Sequence, residues 1–135
     1  MENKLVKSKV MVIEDNEQNM YMITYLLESY SYKVIQSFNG IDGIKKAKVE
    51  KPDIILLDIH LPEMDGYNIA REIKKNEELK NIPIIAVTAY AMMGDKEKAM
   101  DAGAIGYIEK PIDPDTFIPQ IEAFLPHHLV QRSKD

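Results

Sequence analysis

The sequence contains no cysteine, which excludes a disulfide scaffold, a Cys-based zinc site and thiol catalysis together. The redox character of the compartment is left open, and nothing else in the chain points outside the cytoplasm. Long hydrophobic runs are also missing. The first apolar stretch, Val10-Met11-Val12-Ile13, stops at Glu14-Asp15 and is too short for a signal-peptide core. The longest weakly polar stretch, Ile82 to Met93, contains Pro83 and Thr88 and falls short of the roughly 20 residues of a membrane helix. The chain is therefore expected to be soluble, with no membrane partner. There is no surplus of positive charge: 17 Lys+Arg stand against 22 Asp+Glu, a net charge of −5. That balance argues against non-specific binding to nucleic acid or to an anionic membrane. Linkers, internal repeats and low-complexity segments are absent, and 135 residues suit one domain that folds without staples. With 45% hydrophobic and 29% charged residues the composition is globular, not disordered. One domain over residues 1–125 is expected, followed by a frayed tail over 126–135.

What is present is a regular alternation. Val10–Ile13, Val34–Ile35, Ile54–Leu57, Ile84–Val87 and Tyr107–Ile108 read as five strands, three of them continuous apolar runs of the kind buried on both faces. Helical spacing lies between them. Met20, Ile23, Leu26 and Leu27 form one stripe, Ile41, Ile44 and Ala47 a second, and Ile69, Ala70 and Ile73 a third. Ala99 and Met100 mark a thin fourth helix, and Phe117, Ile121, Phe124 and Leu125 a fifth. Such alternation implies parallel strands joined by right-handed crossovers, an α/β three-layer sandwich. Asp113-Pro114 resembles an N-cap followed by Pro at the first helical position. Pro119 would then clash with the Asp115 carbonyl, so an irregular first turn is expected. Asn39-Gly40 and Ala102-Gly103 read as turn or C-cap signals.

The carboxylates fall at strand ends: Glu14-Asp15 after the first strand, Asp58 after the third. In an open α/β sheet of order 2-1-3-4-5, ligands bind beyond the carboxyl ends of strands 1 and 3, where the order reverses. Three convergent carboxylates call for a compensating cation. Oxygen ligands without cysteine select Mg²⁺, with Mn²⁺ as the alternative. Thr88 ends the fourth strand with a hydroxyl and Lys110 the fifth with a positive charge. Carboxylate nucleophile, divalent metal, hydroxyl and lysine together make a phosphoryl-accepting site, with Asp58 as the attacking group.

At these residues the chain resembles a response-regulator receiver domain. The matching segments are Val12-Ile13-Glu14-Asp15-Asn16, Asp58 with Leu61-Pro62-Glu63-Met64-Asp65-Gly66, Val87-Thr88-Ala89, and Tyr107 with Lys110-Pro111, over roughly residues 8 to 125. The resemblance implies a flavodoxin-like (βα)5 sandwich. It also implies Mg²⁺ held by Glu14, Asp15, Asp58 and the backbone carbonyl of His60, and an acyl phosphate on Asp58 bound by Thr88 and Lys110. The resemblance further implies that Thr88 moves toward the phosphate as Tyr107 turns inward, reshaping the face of helix 4, strand 5 and helix 5, which here includes Ala91, Met92, Met93, Lys96, Tyr107 and Glu109. The Lys110–Pro111 bond is expected to be cis. The implied donor is a phosphohistidine on a sensor histidine kinase or a histidine phosphotransfer protein, and the implied output is contact with a downstream protein. The chain reads as a stand-alone, monomeric, cytoplasmic signalling protein and not as an enzyme.

Each residue also has a plainer reading. Asp15 alone would read as a helix cap; in register with Asp58, Thr88 and Lys110 it reads as a ligand. Glu14 fits direct or water-mediated metal contact equally well. Thr88 and Tyr107 are also ordinary strand residues, Asp65 shapes the loop before Gly66, and His127-His128 is a solvated pair. His60 and Tyr90 lie two residues after Asp58 and Thr88, where the family's side chains flank the attacking water, so Tyr90 is expected to slow dephosphorylation. The alternatives are a phosphorelay intermediate, a degenerate docking receiver and a Mg²⁺-dependent aspartyl phosphohydrolase. The haloacid-dehalogenase-like phosphatases of that last class need a second Asp where His60 stands. A flavin binder would want a Ser/Thr/Gly-rich loop in place of Asn16-Glu17-Gln18-Asn19.

Overall fold

The computed structural model describes residues 8–61, 65–89 and 94–125. Five strands, β1 (Lys9–Ile13), β2 (Lys33–Ser37), β3 (Ile54–Asp58), β4 (Ile84–Thr88) and β5 (Gly106–Glu109), alternate with five helices, α1 (Glu17–Ser29), α2 (Gly40–Glu50), α3 (Gly66–Lys75), α4 (Asp95–Asp101) and α5 (Phe117–Phe124). The strands form one parallel sheet of order β2-β1-β3-β4-β5, the flavodoxin-like order expected. Alternate residues of a strand face opposite sides, so the sheet feeds two cores. Val10, Val12, Ile54, Leu56, Ile85 and Val87 pack beneath α1 and α5. Met11, Ile13, Ile55, Leu57, Ile84 and Ala86 pack beneath α2, α3 and α4. β3 and β4 are buried along their whole length, which is why each is a continuous apolar run up to its last residue, Asp58 or Thr88.

Helix starts carry local caps. Asn16, Asn39 and Asp65 each accept a hydrogen bond from the backbone N–H three residues on, opening α1, α2 and α3. Asn39-Gly40 therefore begins a helix and does not end one. Gly103, at φ +116, follows the Ala102 cap of α4 as a C-terminal glycine should.

Three further expectations are corrected. In α2 the buried residues are Gly40, Gly43 and Ala47, while Ile41 is 55% exposed. The Ile13 side chain fills the space beneath Gly43, where an added Cβ would stand 2.6 Å from its Cδ1. In α4, Ala99 is buried but Met100 is exposed. α5 starts at Phe117, three residues after Pro114. Asp113 caps only the preceding turn, its Oδ1 accepting from Asp115 N–H at 2.9 Å. The late start resolves the Pro119 problem, because Pro119 then sits in the first turn, where no intrahelical donor is needed.

Candidate functional site

Backbone hydrogen bonds run on past the ends of the strands and hold the site residues in register. Glu14 N–H donates to Ser37 O at 3.0 Å, Ile59 N–H to Val87 O at 3.0 Å, and Lys110 N–H to Thr88 O at 2.7 Å. The carboxyl end of the sheet is thereby closed around Glu14, Asp58, Thr88 and Lys110. Glu14 and Asp58 are 1% and 5% exposed, Thr88 is fully buried, and Asp15 faces solvent. One carboxylate oxygen from each of Glu14, Asp15 and Asp58 lies within 4.8 Å of the others.

Lys110 joins the two buried members of this cluster. Its ammonium stands 2.8 Å from Glu14 Oε1 and 3.4 Å from Asp58 Oδ2. The other oxygens are engaged by backbone: Asn16 N–H donates to Glu14 Oε2 at 3.2 Å and His60 N–H to Asp58 Oδ1 at 3.0 Å. The Lys110–Pro111 peptide is cis, as expected. Burial raises the Glu14 pKa above its ordinary value; the Lys110 bond works against that shift and the Asp58 charge adds to it. Three carboxylates against one ammonium leave two negative charges when all are ionised. A hard divalent cation fits that donor set.

Gly66, the first residue of α3, is a site residue whose role was not evident from its motif. Its N–H donates to Ile59 O at 2.8 Å. A Cβ there would meet Ile59 Cα at 2.6 Å and the Asp58 carbonyl oxygen at 2.8 Å. The backbone carrying Asp58 is thus packed directly on α3, and only glycine permits it. Tyr90, Pro62-Glu63-Met64, Ala91-Met92-Met93 and His127-His128 lie outside the described residues. Away from the acids, a groove of about 680 Å³ opens where α4, β5 and α5 meet, with Lys96, Met100, Tyr107, Glu109, Gln120 and Phe124 among its walls. No helix among the described residues is long and apolar enough to cross a membrane.

Comparison with known proteins finds relatives over most of the chain. The family described as response regulator receiver domain matches residues 10–122. The polar-differentiation response regulators DivK of Brucella anthropi and Brucella ovis are each 43% identical over 116 residues, spanning 86% of this chain and 94% of theirs. Among solved structures, the receiver domain of the sensor histidine kinase PA1611 from Pseudomonas aeruginosa holds a magnesium ion in its active-site cleft. It is 34% identical, with a TM-score of 0.80 over 88% of this chain and 98% of that one. The chemotaxis protein CheY4 of Vibrio cholerae has the same fold, with a TM-score of 0.84 at 24% identity over 89% of this chain and 100% of that one.

Proposed function

The chain belongs to the response regulator receiver domain family, and from that premise we propose that Asp58 accepts a phosphoryl group from a phosphohistidine donor. Receiver domains of this family act in two-component signalling, bind Mg²⁺ at their acidic site and are not classical enzymes. In the proposed transfer an Asp58 carboxylate oxygen attacks phosphorus and the phosphorus–nitrogen bond breaks. The electron pair stays on the imidazole, and Asp58 becomes an acyl phosphate. Lys110, already between Asp58 and Glu14, turns its charge to the transferred oxygens, and the Thr88 hydroxyl donates to them. Glu14, Asp15, Asp58 and the His60 carbonyl would hold the Mg²⁺, which supplies charge neutralisation at the phosphoryl group. The observation that carries this reading is the Lys110 ammonium bridging the two buried carboxylates, 2.8 and 3.4 Å away.

The donor is a sensor histidine kinase or a histidine phosphotransfer protein, and the output is contact with a downstream protein. The groove beside Tyr107 supports a role for the α4–β5–α5 surface in that contact. The test is incubation with Mg²⁺ and acetyl phosphate followed by intact-mass measurement. Wild type is expected to gain one phosphoryl group and Asp58→Ala none. No addition in wild type, or addition retained without Asp58, overturns the assignment.

A further inference from the structure

The start of α4 has no side-chain cap. Gly94 occupies the cap position at φ +92, and the first helical residue, Asp95, is buried. Asp95 Oδ1 accepts a hydrogen bond from the Tyr67 hydroxyl at 3.0 Å, joining the second residue of α3 to the first of α4. Burial, together with this acceptor, pushes the Tyr67 phenol up to about 12. The hydroxyl therefore remains a donor at any neutral pH.

Tyr107 of β5 is the unexplained neighbour. Its hydroxyl oxygen is buried and has no hydrogen-bond partner among the described residues. Burial raises its pKa, and Asp95 is the charge that adds most to that effect. The register sets Tyr107 beside Ala86 and Glu109 beside Thr88. Tyr107 and Thr88 therefore share one face of the sheet, the face on which Tyr67 also packs. A buried hydroxyl without a partner is a penalty the fold carries in this state. Asp95 is an acceptor that either phenol can use, and the Tyr67 hydroxyl already occupies its Oδ1 in this state.

We propose that Asp95 is a positioning residue linking β5 to α4. Its carboxylate holds Tyr67 in this state and takes the Tyr107 hydroxyl when Asp58 carries a phosphoryl group, which shifts the start of α4. The inference rests on the receiver reading and adds a named acceptor to it.

Double-mutant cycles in urea unfolding test it, with no additions and then with Mg²⁺ and beryllofluoride, a mimic of the phosphoryl group on a carboxylate. Without additions, Tyr67→Phe and Asp95→Asn are expected to couple by about tenfold in the unfolding constant. Tyr107→Phe and Asp95→Asn are expected to be additive, with Tyr107→Phe no less stable than wild type. With beryllofluoride bound, the Tyr107–Asp95 coupling is expected to appear. A purely structural Asp95 would give the same couplings in both states, and that result overturns the proposal. Should Asp95→Asn not fold, beryllofluoride affinity decides: Tyr67→Phe is expected to raise it and Tyr107→Phe to lower it, and the reverse or no change overturns the proposal. If wild-type stability ignores Mg²⁺ and beryllofluoride altogether, the receiver reading itself fails and this inference with it.

Discussion

At Glu14 two effects oppose one another, and their balance is measurable. Burial and the Asp58 charge favour the neutral carboxyl, Lys110 favours the ionised one, and the net direction is upward from 4.5. A carboxyl raised on folding contributes stability that is fully present below its unfolded value and is lost as pH rises through its folded value. At pH 7 an ionised Glu14 therefore opposes folding of the metal-free protein. Glu14→Gln is expected to raise the urea midpoint at pH 7, with the difference from wild type shrinking as pH falls toward 4.5. Mg²⁺ should stabilise wild type by binding only the folded form, and stabilise the variant less. A variant less stable than wild type at pH 7 would mean that the Lys110 pair outweighs desolvation.

At the scale of the element, the start of α3 separates folding from chemistry in two adjacent residues. Asp65 caps the helix by accepting from Asn68 N–H at 2.9 Å and is not one of the clustered acids Glu14, Asp15 and Asp58. Asp65→Ala is expected to cost about 0.5–2 kcal/mol while leaving phosphoryl uptake from acetyl phosphate intact. Gly66→Ala meets backbone at 2.6 and 2.8 Å, which cannot swing aside as a side chain would. It is expected to cost about 1–3 kcal/mol and also to slow uptake, because the strain falls on the segment bearing Asp58. Urea unfolding and a mass time course on both variants check this; equal uptake rates would show that the segment relaxes without moving Asp58. The elements themselves were largely legible in the sequence, because strands buried on both faces must be written as runs such as Ile54–Leu57. Helix faces were less so. Ile41 was expected inside α2 because large apolar residues usually face a core, yet at close approach Gly43 takes that place. The site acids and Lys110 were legible as charges at strand ends. The Tyr67–Asp95 pair was not, since residues 28 apart in sequence leave no local periodicity to read.

For the whole molecule, the sheet is a shared wall between two cores, and this determines how it must unfold. Leu56 and Leu57 are neighbours on β3, each at most 1% exposed, yet Leu56 packs in the α1/α5 layer and Leu57 in the α2/α3/α4 layer. Losing either layer exposes the apolar face of the same five strands, so neither layer should survive alone. Leu56→Ala and Leu57→Ala are each expected to cost about 2–5 kcal/mol. The transition should stay single in both variants. Tyrosines report from both sides, Tyr32 among the α1/α5 layer and Tyr67 and Tyr107 against the other. Tyrosine fluorescence and far-ultraviolet circular dichroism should therefore give coincident urea curves in both variants. Curves that separate in one variant only would mean that its layer melts on its own. The acid cluster, which draws Glu14, Asp15 and Asp58 from the ends of β1 and β3, would then no longer depend on the whole sheet.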